Sequence, residues 1–228
     1  SDKWKTFPDF LFDYLKFIFG REFWDTQIAL DDKKRHPVVK WQLAMCEVMQ
    51  RQQQDCTGDY PIPRTGACQS YLLLAYDLYL LKNHRLLREQ LVDRLRHSDQ
   101  FQGARYEVFV TACCVRAGLD IELEDESDRT RKHAELVVVN RLTKARIAIE
   151  AKSRHRQGVL GFPGERLPEN KLRIGIDQLI NEALKKRPAV PYVVFVDMNM
   201  PPSIGNFYDA PCLRQFRKSL HRLSVASS

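Results

Sequence analysis

The sequence predicts an α/β (α+β) protein, in which a helical N-terminal region is followed by elements in the order α-β-β-β-α-β. Three observations predict it. Apolar residues through roughly the first hundred positions recur at helical spacing. From Leu119 to Lys152 the pattern changes to short alternating or Val- and Ile-rich runs, as strands require. A helical stretch, about Lys171 to Lys186, then separates these runs from a further apolar run, Tyr192 to Val196.

In the N-terminal region, Pro8 starts a helix with Phe10, Leu11, Tyr14, Phe17 and Ile18 on one face. Pro37 starts another, with Val38, Trp41, Met45, Val48 and Met49 at helical spacing. Gln50 to Asp55 and then Gly58 to Gly66, with Pro61 and Pro63, read as a polar, turn-rich connection. A third helix covers about Ala67 to Leu81, and a fourth holds Leu86, Leu87, Leu91 and Leu95. The many aromatic residues here read as core packing. The pattern shift near Ser98 divides the chain into a helical region, 1–98, and a second region, 99–228.

The second region opens with a helix from about Gln102 to Ala117, closed by Gly118, a residue suited to the left-handed position after a helix. Leu119–Glu124 alternates like a half-buried strand, and the charged stretch Asp125–Lys132 is a loop. Glu135–Asn140 and Ala145–Lys152 read as strands joined through Arg141–Lys144 as a hairpin. Ser153–Asn170 holds three glycines and two prolines and reads as a long loop, of the kind that often carries function. A last helix is expected over Leu213–Leu223.

Composition narrows the classes. The 228 residues are 44% hydrophobic and 29% charged, an ordinary globular balance with length enough for a core that needs no cross-links. Six cysteines form no CxxC pair and no zinc-like spacing with the six histidines, so a reducing, cytoplasmic setting is expected. The longest strongly apolar run, Tyr71–Leu81, is interrupted by Asp77 and is too short to span a bilayer, and the first residues lack a signal-peptide pattern. Of the net charge of +7, residues 153–228 carry +6. That basic excess follows an acidic cluster, an arrangement that suits a cation pocket flanked by phosphate attraction; a solvated basic surface is the plainer reading.

The chemistry-bearing constellation lies on the hairpin. With its turn centred between Leu142 and Thr143, Glu135 lies opposite Glu150, with Cβ atoms roughly 5 Å apart. Lys152 shares their face, because strand side chains alternate. Opposed carboxylates repel unless a cation or proton lies between them. Mg²⁺ (or Mn²⁺) takes such oxygen ligands and commonly uses one or two carboxylates plus substrate phosphate. Such an ion would polarise a scissile phosphate, with Lys152 orienting water or balancing developing charge. The plain alternative is a surface strand with scattered charge and a weak Glu150–Lys152 pair.

Glu150-Ala151-Lys152 after Ile147-Ala148-Ile149, with Glu135 in His133-Ala134-Glu135-Leu136-Val137-Val138, resembles the E-x-K and acidic elements of the PD-(D/E)XK (restriction-endonuclease-like) nuclease superfamily. The resemblance covers about residues 101–197. It implies a helix, three-stranded meander, helix, strand core with a mixed central sheet, and metal-dependent cleavage of DNA. Glu135 stands where the family usually has Asp, often after Pro; here Ala134 precedes it. The family's carboxylate from the first helix corresponds to Glu107, and a Gln in the following helix to Gln178, which extends the implied catalytic set to Glu107, Glu135, Glu150, Lys152 and Gln178. The implied metal ligands are Glu107, Glu135 and Glu150.

Around that set, His133 shares the face of Glu135, opposite Lys152, and is a candidate phosphate contact or else a structural histidine. Arg154, Arg156, Lys171 and Arg173 flank the site as candidate phosphate ligands. Lys185, Lys186 and Arg187 end a helix, where cations suit the dipole. Glu122 and Glu124 read as a solvated edge. DNA is the expected partner and RNA the other nucleic acid compatible with the site. No membrane partner is expected. The helical N-terminal region offers a surface for a protein partner or homodimer. No zinc finger, helix-turn-helix or RNP motif reads base edges. The rival reading is a catalytically inactive nuclease-fold module that binds nucleic acid or protein.

Overall fold

The computed structural model describes residues 4–55, 65–123, 135–168, 171–173, 175–186, 188–200 and 216–218. It divides into two compact units, Ser1–Ala112 and Cys113–Ser228. The first is all helical: α1 (Phe7–Phe19), α2 (Arg21–Ile28), a 3₁₀ turn (Asp32–Lys34), α3 (Pro37–Asp55), α4 (Gly66–Asn83), α5 (Glu89–Arg96) and α6 (Phe101–Arg116), which runs across the division. Pattern change alone puts the boundary at Ser98. The structure puts it later because Phe101 packs on His36 and Trp41, and Glu107 pairs with Arg88 and Arg94.

Local signals set these helices. Thr6 and Asp9 form a reciprocal capping box that starts α1, with Pro8 in its first turn. Gly20, at φ +81°, ends α1 and lets α2 begin at once in a new direction. The α1 face differs from the expected one: Leu11, Leu15 and Phe19 are buried at a spacing of four, while Phe17 is 76% exposed. Helix α3 continues through Gln50–Asp55, where a polar connection is expected from composition. Gln and Arg propagate a helix well and no Gly or Pro intervenes, so polarity alone does not stop it. Thr65 caps α4 by accepting from the Cys68 amide, and the buried Tyr71 donates to the Phe12 carbonyl at 2.8 Å, tying α4 to α1.

The second unit carries a mixed four-stranded sheet in the order β1-β2-β3-β4: β1 (Asp120–Leu123), β2 (Leu136–Val139), β3 (Arg146–Ser153) and β4 (Tyr192–Asp197). The first three form an antiparallel meander, and β4 runs parallel to β3. The crossover to β4 contains α7 (Ile176–Leu184). That helix starts later than the expected Lys171, because Gly175 occupies the left-handed region at its N-cap, φ +57°. The β2–β3 loop is Arg141–Lys144; the Asn140 side chain accepts from the Leu142 and Thr143 amides, and Lys144 takes the positive φ. Leu136, Val137 and Val138 are all buried, as are Ala148, Ile149 and Glu150, so both faces of the central strands are covered. The expected helix over Leu213–Leu223 falls largely outside the described residues, of which 216–218 are helical. Among the described residues no helix is long and apolar enough to cross a membrane.

The first unit buries a histidine. His36 has no solvent exposure and accepts from the Val38 amide through Nδ1, between the rings of Phe19, Phe23 and Phe101. Burial pulls its pKa down to about 3; the Leu95 backbone carbonyl works the other way, although Nε2 makes no hydrogen bond of good geometry, and His97 adds a smaller downward push. A neutral native ring binds no proton until about pH 3, whereas the unfolded chain binds one below about 6.5. The stability it contributes is therefore full above the unfolded value and drains as pH falls toward 3. Between pH 7 and 4 this group alone is expected to cost about 3 kcal/mol. Urea unfolding at both pH values checks it: His36→Phe should lose that part of the pH slope, and an unchanged slope would refute the assignment.

Candidate active site

Backbone register places the site. Leu136 pairs with Ile149 and Val137 with Ala148, which carries the antiparallel ladder to Glu135 opposite Glu150 just before β2 begins. On the other side, Ala148 pairs with Tyr192, Glu150 with Val194 and Lys152 with Val196. Alternation then puts Glu135, Glu150, Lys152 and Tyr192 on one face of the sheet.

Glu150 is fully buried, the most demanding position for a carboxylate. Two ammonium groups compensate it. Lys152 Nζ lies 2.6 Å from Oε1, and Lys186 Nζ lies 2.7 Å from Oε1 and 2.7 Å from Oε2. Only the Lys186–Oε2 contact has hydrogen-bond geometry; Oε1 is neutralised by charge but receives no directed hydrogen bond. Glu135 is half-buried, and its Oε2 accepts from the Ala151 amide at 2.9 Å, which fastens the acid to the strand between Glu150 and Lys152. The Tyr192 hydroxyl lies 3.3 Å from the Ala183 carbonyl. Burial, then the charge of Glu150 and a hydrogen bond to it, then the charge of Glu135, hold this phenol well above its ordinary pKa, so it is a donor at neutral pH.

The donor chemistry fits a hard divalent cation. A buried carboxylate oxygen without a directed hydrogen bond stands with a second carboxylate across the hairpin, and Mg²⁺ commonly binds through one or two carboxylates, completing its shell with water and phosphate oxygens. Among the described residues no three His, Cys, Asp or Glu side chains converge on this face, where Glu135 and Glu150 are the paired acids.

The other predicted residues are placed as follows. Glu107 lies in the first unit with only 8% of its side chain exposed, and its two oxygens are taken by Arg94 at 2.7 Å and Arg88 at 3.4 Å. Gln178 is exposed and donates to Glu182 one turn on, at 2.9 Å, a helix-surface pair rather than a site contact. Arg154 is half-buried, with its guanidinium on the backbone of Gly175. Arg156 is buried and donates to the Met198 carbonyl at 2.6 Å and the Arg173 carbonyl at 2.9 Å, so it braces the chain beyond β3 rather than facing a ligand. Lys171 and Arg173 are exposed, as a phosphate contact needs. His133 and Glu124 lie outside the described residues, and Glu122 forms an exposed pair with Arg146.

Sequence reasoning missed Lys186 and Tyr192. Lys186 reads as a helix-end cation and Tyr192 as strand core. The parallel β3–β4 register brings Tyr192 to Glu150 and the turn after α7 brings Lys186, and no local pattern encodes either. Comparison with protein-family models, with curated proteins and with solved structures found no match.

Arg156→Ala removes a buried fork and leaves two carbonyls short of their donors. It is expected to lower stability by about 1–3 kcal/mol, measured by chemical unfolding. Unchanged stability with weakened DNA binding would instead make Arg156 a phosphate ligand.

Proposed function

We propose that this chain is a Mg²⁺- (or Mn²⁺-) dependent phosphodiesterase that cleaves DNA on a PD-(D/E)XK-type core. The observation that carries this reading is the Glu135–Glu150 pair opposed across the β2–β3 hairpin, with Lys152 on the same face and 2.6 Å from Glu150. The α-β-β-β-α-β order of the second region supports the same reading. Glu135 and Glu150 would hold the ion, which supplies Lewis-acid polarisation of the scissile phosphate and a more acidic water. Glu135 is kept in place by the Ala151 amide. Lys152, with 24% of its side chain exposed, reaches solvent while its stem stays on the strand. Its ammonium orients the attacking water and balances negative charge that grows on the phosphoryl oxygens. The exposed Lys171 and Arg173 lie within the basic last third of the chain and attract the phosphate backbone. Four described cysteines are free thiols, which suits a cytoplasmic setting.

One observation favours a second reading. Glu150 is already charge-balanced by two lysines, so the core could serve as an inactive nuclease-fold module that binds nucleic acid or a protein partner.

The test is incubation of the chain with circular and linear DNA, and with RNA, in Mg²⁺ or Mn²⁺. Glu150→Ala and Lys152→Ala are each expected to reduce cleavage on the order of 10²- to 10³-fold, the usual cost of losing a group that stabilises developing charge. Equal cleavage by all three proteins would refute the assigned site. In parallel, DNA affinity should fall as salt rises from 50 to 200 mM. Salt-sensitive binding without any wild-type cleavage would favour the binding module, and no binding at all would leave nucleic acid without support as the partner.

A further inference from the structure

Lys186 is the unexpected member of the cluster. It lies in the turn after α7, outside the E-x-K element, and its ammonium reaches both oxygens of Glu150 at 2.7 Å with 23% of its side chain exposed. Among the described residues Glu150 thus meets two ammonium groups, Lys152 and Lys186, which already balance its single charge. A divalent cation added to this set would leave an excess of positive charge in a partly buried site, unless an ammonium left. The two lysines are almost equally exposed but hold the acid differently: Lys152 meets Oε1 alone, and Lys186 meets both oxygens, where a cation would sit. Lys152 is held within β3, with its backbone in the ladder to β4. Lys186 hangs from a turn whose backbone is fixed by its own amide on the Ala183 carbonyl, and a flexible four-carbon stem can carry its head away to water.

We propose that Lys186 is a tethered competitor for the divalent cation: it balances Glu150 in the metal-free protein and gives up that place when the ion binds. The inference rests on the metal-site reading above. The geometry that carries it is the bridging contact of one ammonium with both oxygens of a carboxylate that has no solvent to neutralise it. Lys186 therefore sets the cation affinity of the site and keeps the metal-free fold intact. In this role it is a positioning residue for Glu150, acting on the acid rather than on the phosphate.

The experiment compares the metal-free full chain with Lys186→Met and Lys186→Gln, the second guarding against a variant that fails to fold. Mn²⁺ binding is measured by titration calorimetry, and melting is measured in chelator and in saturating Mn²⁺. Removing the competitor should tighten Mn²⁺ binding tenfold or more. It should also lower the melting temperature in chelator, with the gap to wild type closing as Mn²⁺ saturates. A lysine that is merely structural would lower melting equally with and without Mn²⁺ and leave the affinity unchanged, which would overturn the inference alone. Weaker Mn²⁺ binding by the variants would overturn it too. Absence of Mn²⁺ binding in all three proteins would overturn it together with the metal-site reading.

Discussion

A carboxylate with no contact to solvent must find its compensation inside the protein, and Glu150 imposes that demand on the whole second unit. Leaving such a charge unpaired would cost several kcal/mol, enough to consume a large part of a domain's net stability. The surrounding elements are disposed to prevent it. β3 supplies Lys152 two residues on; the turn after α7 brings Lys186; β4, by pairing parallel to β3, sets Tyr192 beside the same acid. A structure that merely needed a stable sheet would be as well served by an apolar residue at this position, since buried ion pairs seldom improve on hydrophobic packing. Keeping the charge there makes chemical sense if the charge is used.

The first unit solves a different problem with different means. Its buried polar groups are fitted to neutral or paired states: His36 stays uncharged within a ring of aromatics, and Glu107 answers to two arginines. These groups hold helices together. Glu150 differs in its partners, two lysine ammonium groups that both meet Oε1, where each oxygen of Glu107 takes one arginine. Both acids are buried, so burial alone does not tell the two environments apart.

Much of this was legible in the sequence. The alternating and β-branched runs, with four residues between them, fixed the hairpin, and arithmetic on its turn put Glu135 opposite Glu150, the register that Leu136–Ile149 pairing carries. Lys152 followed from parity. Those inferences succeed because strand period and turn length are local properties. Glu107 was harder, since a helix offers every residue a solvent face and its partners, Arg88 and Arg94, are chosen by packing, whereas the exposed Gln178 meets Glu182 through helix spacing alone. The polar end of α3 reads as a loop by composition, yet no Gly or Pro interrupts the helix there. Lys186 and Tyr192 were beyond reach: the strand that carries Tyr192 lies more than forty residues from Glu150 in sequence, and nothing nearby states that β4 runs parallel to β3.

The parallel pairing of β3 and β4 has a kinetic side. The β2–β3 hairpin closes across a four-residue loop, Arg141–Lys144, and can form on the microsecond scale typical of hairpins. The β3–β4 pair must first close the long crossover through α7, and contacts of such sequence separation bear a loop-closure entropy that slows their formation. During folding, Glu150 therefore stands at the end of an early hairpin while it is still wet, and its charge costs little there. Water leaves only as the crossover docks, and the docking elements bring Lys186 and Tyr192 with them. Dehydration of the acid and arrival of Lys186 and Tyr192 are one event. The chain thereby avoids an intermediate with a naked buried charge: the two acids, opposed from the hairpin onward, are enclosed only once the crossover has docked.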